Sequence, residues 1–351
     1  MNNYPSTIKS VHIELTDKCQ AACPMCARNY NGGAVRPFIK NSEISIDQFK
    51  AWFSPEFLAG LDTLYTCGNY GDPAFATDCL EIYEYARQCN PTMRLAIHTN
   101  GSLRKPEWWA QLAKSMGTHS EVIFAIDGFK GKHELYRRNT SFDKIIENMT
   151  AYIQAGGSAR VASLVFEHNQ DDVEELEKFL LGLGVRVVEF KSTTRFYNME
   201  KFPVVDKDNK HEYDLYPAKR IEFHKKPNAP LEKFLEGVFL QTFIDDAKII
   251  PKCINKQEIY VDPHGNILPC CYLGSDYLEL PLEETMVLHT LRNMSVENTK
   301  RMMEHLTVPN LNNGNVETVL TPGVWGEISS YWEGKDKCLT CIKNCSTSVY
   351  S

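Results

Sequence analysis

Twelve cysteines occur in 351 residues, and three of them sit in one stretch, Cys19-Gln-Ala-Ala-Cys23-Pro-Met-Cys26. Thiolates at this spacing in a single loop can each bind a different iron of a cubane cluster. A 4Fe-4S cluster takes four ligands, normally all cysteine, so three local ligands leave one iron open. An open iron can chelate a small molecule and pass it an electron. Zinc is the competing reading, but structural zinc sites usually close four positions with spaced pairs. A second set lies far downstream. Cys253 is followed by Gly265-Asn266-Ile267-Leu268-Pro269-Cys270, then by Cys338-Leu-Thr-Cys341, with Cys345 as a further candidate and Cys271 left over. Ile259–Val261, the turn Asp262-Pro263-His264-Gly265-Asn266, and Ile267-Leu268 have the pattern of a hairpin that would bring two of these cysteines side by side. For this second set a zinc-ribbon reading also stays open.

Such residues need a frame, and the apolar pattern supplies one. Strand-length runs at Val11–Leu15, Leu61–Thr66, Met93–Thr99, Glu121–Ile126, Arg160–Val165 and Val185–Phe190 alternate with helix-length segments. The helical segments are Ser45–Phe57, Cys79–Cys89, Pro106–Met116, Phe142–Ala155 and Asp171–Leu183. Parallel neighbours need crossover helices, so strictly alternating units predict an α/β fold with a parallel sheet or barrel. In such barrels the chemistry lies on loops leaving the C-terminal ends of strands. The cysteine loop follows the first strand, and Gly68 to Pro73 follows the second. Thr99-Asn100-Gly101 follows the third, Asp127-Gly128 the fourth, Glu167-His168-Asn169 the fifth, and Lys191 to Arg195 the sixth. All six loops should open on one mouth. From Phe196 to Lys252 the alternation stops among prolines and mixed charges, so 196–250 is expected to be a linker with a short helix near Leu231–Phe243.

Strand, CxxxCxxC loop and βα series together resemble the radical S-adenosylmethionine (radical SAM) superfamily. That resemblance implies a partial (β/α)6 TIM-like barrel over residues 8–195. It also implies that S-adenosylmethionine (SAM) chelates the open iron of a 4Fe-4S cluster on Cys19, Cys23 and Cys26, and that its reduction yields a 5′-deoxyadenosyl radical. The position before the third cysteine is usually aromatic in the family, and here it is Met25, whose flexible thioether can fill the same space. Gly71-Asp72-Pro73 looks like the family segment that binds the SAM amino group, with Asp for the usual Glu. Thr99 and Asn100 resemble the strand end that meets the ribose or methionine part. Asp127-Gly128 with His133 and Tyr136-Arg137 resembles a run whose Arg pairs with the SAM carboxylate, a fork suited to that anion. Ala125 stands where many relatives have Ser. The second cysteine set resembles a twitch or SPASM extension, which implies an auxiliary 4Fe-4S cluster on Cys253, Cys270, Cys338 and Cys341 in a domain over 251–351. Cys67, ending the second strand beside the presumed SAM loop, is a candidate hydrogen-atom donor, whereas Cys79 and Cys89 read as buried small hydrophobes.

Composition sets the remaining bounds. A net charge of −7 gives no basic footprint for nucleic acid. No run of 18 apolar residues occurs and the start lacks a signal-peptide pattern, so a cytoplasmic location is expected. In a reducing compartment the cysteines read as metal-binding or catalytic, not as a disulfide scaffold. Relatives of this kind act on peptide or protein side chains by oxidation, crosslinking or epimerisation, and less often on small molecules. They take electrons from a donor such as flavodoxin or ferredoxin. About ten residues precede the first strand, so either a separate protein presents a peptide or the substrate is small. A non-catalytic metal-binding scaffold is the alternative from another class.

Overall fold

The computed structural model describes residues 7–193, 195–196, 199–220, 222, 247–278, 298–299, 301–304, 308–320, 328–333 and 337–347. The chain divides into two compact bodies, one of residues 13–50 and 62–225, the other of residues 1–12, 51–61 and 226–351. Strand β1 (Ser10–Ile13) leads into the cysteine loop.

In the first body βα units follow one another as the apolar pattern requires. The expected single helix at Ser45–Phe57 is two helices instead, α1 (Ile46–Trp52), which begins in the first body, and α2 (Pro55–Ala59), which belongs to the second. The break has a local cause. Pro55 offers no N–H and pushes the residue before it out of the helical region, so Ser54 takes ψ 154° and caps α2 by accepting from Phe57 N at 3.0 Å. Then come β2 (Thr63–Thr66), α3 (Cys79–Cys89), β3 (Arg94–Thr99), α4 (Pro106–Met116) and β4 (Ser120–Ala125). A short α5 (His133–Tyr136) precedes α6 (Phe142–Gln154), β5 (Ala159–Leu164), α7 (Val173–Gly182) and β6 (Val187–Lys191).

Strands β2 to β6 pair in chain order and all in parallel, with Leu64 opposite Leu95, Ile97 opposite Val122, Phe124 opposite Val161, and Ala162 opposite Glu189. This is the partial-barrel order that alternating units dictate. One face of the sheet is packed by helices: Trp109 of α4 lies 5.2 Å from Phe124 of β4, which lies 6.1 Å from Tyr152 of α6. Leu95, Ile97, Val122, Phe124 and Val161 are accordingly all buried. The opposite face carries the alternate residues His98, Glu121, Ile123, Ala125, Arg160, Ala162, Leu164, Glu189 and Lys191.

The segment expected as a linker holds an antiparallel hairpin, β7 (Phe202–Val205) and β8 (His211–Leu215), and it belongs to the first body. Its turn is closed by Asp206, whose Oδ1 accepts from Asp208 N and Lys210 N at 2.9 Å each. Asn209 takes the left-handed conformation at φ 61°, which Asn tolerates. Phe202, Val204 and Leu215 face inward onto one apolar cluster with Ala21, Cys23, Met25, Tyr136, Phe166 and Phe196. The expected helix at Leu231–Phe243 lies outside the described residues.

In the second body the hairpin expected at Ile259–Leu268 forms as β10 (Glu258–Val261) and β11 (Ile267–Leu268), with Tyr260 opposite Leu268. Asp262 closes the turn, its Oδ1 accepting from His264 N and Asn266 N while Gly265 turns at φ 83°. Ahead of it lie β9 (Lys248–Ile249) and α8 (Lys252–Lys256). After it come α9 (Cys271–Leu278), α10 (Leu339–Cys345) and β12 (Ser346–Thr347), the last paired antiparallel with β9.

Candidate active site

Ser-free and tightly turned, the cysteine loop is held from several sides. Cys26 N donates to Cys23 O at 3.0 Å, Ala22 N donates to Arg138 O at 3.0 Å, and Arg195, from beyond β6, donates to Met25 O at 2.8 Å. Met25 is 7% exposed within the apolar cluster. Cys19 and Cys26 are half-buried against that cluster and Cys23 is within it.

Each of two loop sulfurs is approached by a nitrogen donor, and each donor is held by a buried carboxylate. On one side Asn100 Nδ2 lies 3.7 Å from Cys19 Sγ. The same amide nitrogen donates to Asp72 Oδ2 at 2.6 Å, and Asn100 N donates to that oxygen at 2.7 Å. Thr99 Oγ1 donates to Asp72 at 2.9 Å, and Ala74 N donates at 3.0 Å. Gln20 completes the group by donating to Asn100 Oδ1 at 2.8 Å. On the other side Arg137 Nη1 lies 4.0 Å from Cys23 Sγ while its Nε donates to Asp127 Oδ2 at 2.5 Å. Asp127 is fully buried, with its other oxygen accepting from Leu164 N at 2.6 Å and its carbonyl accepting from Asn169 Nδ2 at 2.9 Å. Its N–H donates to His133 Nδ1 at 3.1 Å, which fixes the histidine tautomer, because the proton must then sit on Nε2, 3.0 Å from Thr140 Oγ1.

Electrostatics follow from this burial. Removal from water pushes the Cys19 thiol well up, with the Asp72 charge adding to it, and takes Cys23 up to about 11 even though Arg137 opposes the rise. Burial also raises the Asp72 carboxyl against the donors that fill it. His133 is lowered to about 4 by burial, with Asp127 opposing. Thiols crowded in an apolar pocket are poor anions on their own and good ligands to a cluster that brings positive charge, which is the donor chemistry an iron–sulfur cluster requires. The residues therefore fit the group.

The glycines of the second loop have a reason within the chain itself. A Cβ on Gly71 would stand 1.8 Å from Thr16 O, and one on Gly68 would stand 1.8 Å from Gly71 O. The loop after β2 is thus pressed against the exit of β1, and Asp72 N donates to Lys18 O at 2.9 Å. Pro73 starts a short 3-10 turn capped by the Asp72 carboxylate. Cys67 is half-buried, and burial, then Glu14 and Asp72, push its thiol up to about 12, so it keeps its S–H at neutral pH.

The second body supplies its cysteines from three segments. Cys253 lies in α8, Cys270 ends the β10–β11 hairpin, and Cys338 and Cys341 sit at the start of α10 with Cys345 at its end. The thiols act on one another. Cys253 is pushed up to about 12 by burial and then by Cys345, and Cys270 is raised by burial, then by Cys271 and Cys253. Cys341 donates its proton to Cys338, which raises Cys341 and lowers its partner, and Cys270 adds to the rise at Cys341. Cys345 is delivered by β12, since Ile250 N donates to Cys345 O at 2.8 Å beside the β9–β12 ladder. Among the described residues no three His, Cys, Asp or Glu side chains stand close enough to hold a single metal ion.

Sequence reasoning missed Gln20 and the β7–β8 hairpin, and it placed Arg195 on the sixth loop without a partner. Gln20 was visible only as the neighbour of Cys19. The hairpin carried a signal in Asp206-Lys-Asp-Asn209, a turn composition between the apolar run Phe202–Val205 and the alternating His211–Leu215, which Pro203 obscured. Among the described residues, no helix is long and apolar enough to cross a membrane.

Comparison with known proteins agrees with this arrangement. Residues 13–180 match the Radical SAM superfamily. The chain is 25% identical over 291 residues to the antilisterial bacteriocin subtilosin biosynthesis protein AlbA of Bacillus subtilis, a match covering 79% of this chain and 57% of AlbA. It thus spans little more than half of that relative's length. It is 23% identical over 221 residues to the GTP 3′,8-cyclase of Aquifex aeolicus, covering 60% of this chain and 67% of the cyclase. In three dimensions it resembles Streptococcus suis SuiB bound to S-adenosylmethionine, with TM-score 0.55 and 14% identity, over 93% of this chain and 68% of SuiB. That likeness speaks for the fold. The three-cysteine loop and the parallel strands β2 to β5 all fall within that matched span, so residues 13–180 are the part of this chain that belongs with the radical SAM superfamily.

Proposed function

We propose that this chain is a radical SAM enzyme that abstracts a hydrogen atom from a peptide or protein side chain and completes an oxidation, crosslink or epimerisation with help from an auxiliary iron–sulfur cluster. One observation carries the reading: two loop sulfurs, of Cys19 and Cys23, each face a nitrogen donor, Asn100 and Arg137, that a buried carboxylate holds in place. Cys19, Cys23 and Cys26 would hold a 4Fe-4S cluster, which together with SAM supplies one-electron cleavage to a 5′-deoxyadenosyl radical. The protein's own part is position and shielding. Asn100 and Arg137 direct N–H groups at the sulfurs, and hydrogen bonds of this kind tune such clusters. Gly71, Asp72, Pro73 and Thr99 shape the adjoining loop, and the Arg137 guanidinium is suited to pair with a carboxylate brought by the cofactor. The apolar cluster around Met25, Phe166 and Phe196 keeps water away. Cys67, a half-buried thiol that keeps its S–H, is the candidate hydrogen-atom donor of this reading. Cys253, Cys270, Cys338 and Cys341, with Cys345 beside them, would hold the auxiliary cluster.

The peptide substrate rests on AlbA, whose name places it in bacteriocin biosynthesis. The similarity to a GTP 3′,8-cyclase favours a second reading, a small-molecule substrate. Electrons would come from a separate donor such as flavodoxin or ferredoxin, and a separate protein would present a peptide substrate. Anaerobic reconstitution tests the central reading. About eight irons per chain, falling to about four in the Cys19/Cys23/Cys26→Ala variant, is the result for two four-iron clusters. 5′-Deoxyadenosine should form with SAM and a strong reductant in the parent alone. Zinc in place of iron, or iron without SAM cleavage, would overturn the reading and leave the non-catalytic scaffold.

A further inference from the structure

In the second body the head of α10 is held from two sides by groups that the cysteines themselves do not explain. Asp276, on α9, is buried, and its Oδ2 accepts from Thr299 Oγ1 at 3.1 Å and from Thr340 Oγ1. Thr340 lies between the two cysteines of Cys338-Leu-Thr-Cys341, and Leu339 N, beside it, donates to Asn298 Oδ1 at 2.8 Å. One carboxylate therefore ties α9, which Cys270 immediately precedes, to the turn that carries Cys338 and Cys341. Its charge is felt at Cys338, where it works to push the thiol up.

On the other side stands Trp332, buried in the short helix Ser330–Glu333. Its neighbour Tyr331 is fastened to the turn, because Cys338 N donates to Tyr331 O at 2.9 Å. An indole has one donor and no acceptor, and a buried one ordinarily finds a partner. Trp332 Nε1 is buried with no hydrogen-bond partner, yet its N–H acts on Cys341, opposing the rise of that thiol. A protonated thiol is a weak acceptor, whereas a thiolate bound to iron carries charge that an N–H can answer. The orphaned donor thus fits a cluster on this cysteine set.

We propose that Asp276 and Trp332 set the reduction potential of this auxiliary cluster in opposite directions, the carboxylate lowering it beside Cys338 and the indole N–H raising it beside Cys341. Reduction adds one electron to the cluster. A fixed negative charge nearby opposes that addition, and a hydrogen bond to sulfur favours it. The balance decides how readily the cluster takes the electron that oxidation of a substrate releases. The inference deepens the proposed function and rests on it for the cluster itself.

The test is a redox titration followed by electron paramagnetic resonance, with dithionite supplying the electron. It uses the anaerobically reconstituted full chain carrying Cys19/Cys23/Cys26→Ala, so that only the auxiliary site is loaded. Asp276→Asn removes the charge and keeps an acceptor for both hydroxyls. It should ease reduction about ten-fold or more, a rise of about 59 mV for a one-electron couple. Trp332→Phe should shift the same equilibrium the other way, by about three-fold or more. Glu304→Gln, at an exposed carboxylate of the same body, should leave it unchanged. Circular dichroism and iron content accompany each variant, and Asp276→Ser and Trp332→Leu stand in where the first substitution does not fold. Equal potentials in the iron-loaded variants and their background overturn the proposal, and so do shifts of the same sign. A folded variant that binds no iron also overturns it, because the residue is then needed to build the site and not to tune it. Zinc, or no iron, in the background itself would instead remove the cluster reading, and the tuning inference with it.

Discussion

A carboxylate buried in protein is costly unless donors fill its oxygens, and Asp72 and Asp127 meet that condition in the same way on two sides of the cysteine loop. Each collects backbone and side-chain N–H groups from loops after different strands, and each leaves one nitrogen donor facing a sulfur. Asp for the more usual Glu at position 72 shortens the reach, and the short carboxylate is occupied here by Thr99, Asn100 and Ala74. His133 gives this arrangement a pH signature. Its value falls from an ordinary 6.5 to about 4, so in the unfolded chain it takes a proton first. The stability it confers is complete above pH 6.5 and is lost as pH falls toward 4, by up to about 3 kcal/mol. Protonation would turn Nδ1 into a donor facing the Asp127 N–H. Urea denaturation at pH 7 and pH 4.5 should therefore show a steeper loss in the parent than in His133→Gln. Equal slopes would mean that this histidine does not carry the dependence.

Among the elements, those set by period and length were legible and those set by long-range contact were not. Cys79–Cys89 and Pro106–Met116 have the expected bounds because their apolar spacing and a leading proline or loop define them locally. Ser45–Phe57 divided because one proline outweighs helical spacing. The β7–β8 hairpin was hidden because Pro203 argues against a strand, yet it is compatible with a two-stranded edge whose worth comes from what it covers. Phe202, Val204 and Leu215 close over the cluster that contains Cys23, while Arg138 donates to Val205 O at 2.6 Å and Tyr213 donates to Leu135 O at 2.6 Å. Leu215→Ala should cost about 3 kcal/mol, read as a lower urea midpoint, and should speed iron loss from the reconstituted protein in air. Destabilisation with an unchanged rate of iron loss would show that the hairpin supports the loop without shielding it. Of the candidate site, the cysteine sets stood out by their spacing, and the loop residues were proposed from the resemblance those cysteines carry. The side-chain partners that hold the loop were not legible, since Gln20 meets Asn100, and Arg195 meets Met25 O, only once distant segments are folded together.

At the scale of the whole molecule, each cysteine set belongs to a single body. Substitutions in separate bodies with no shared partners should add. Replacing Cys253 and Cys341 by Ala should remove about four irons, leaving the Cys19 loop loaded, and combining that change with the Cys19/Cys23/Cys26→Ala variant should remove essentially all. A single deletion that empties both sites would show them to be one cooperative unit. The described residues account for the second set only through a chain that returns on itself: Cys253 and Cys345 are about ninety residues apart, and the β9–β12 pair brings them together. That pairing bears on the timing of synthesis. A ribosome releases the chain from its N-terminal end and domains begin to fold as they emerge. The three-cysteine loop and the hairpin over it are complete once Leu215 has emerged, whereas Cys253 and Cys270 must wait for Ser346 and Thr347. The two proposed cluster sites would therefore come into being in sequence, the first on a growing chain and the second only after a further stretch of translation.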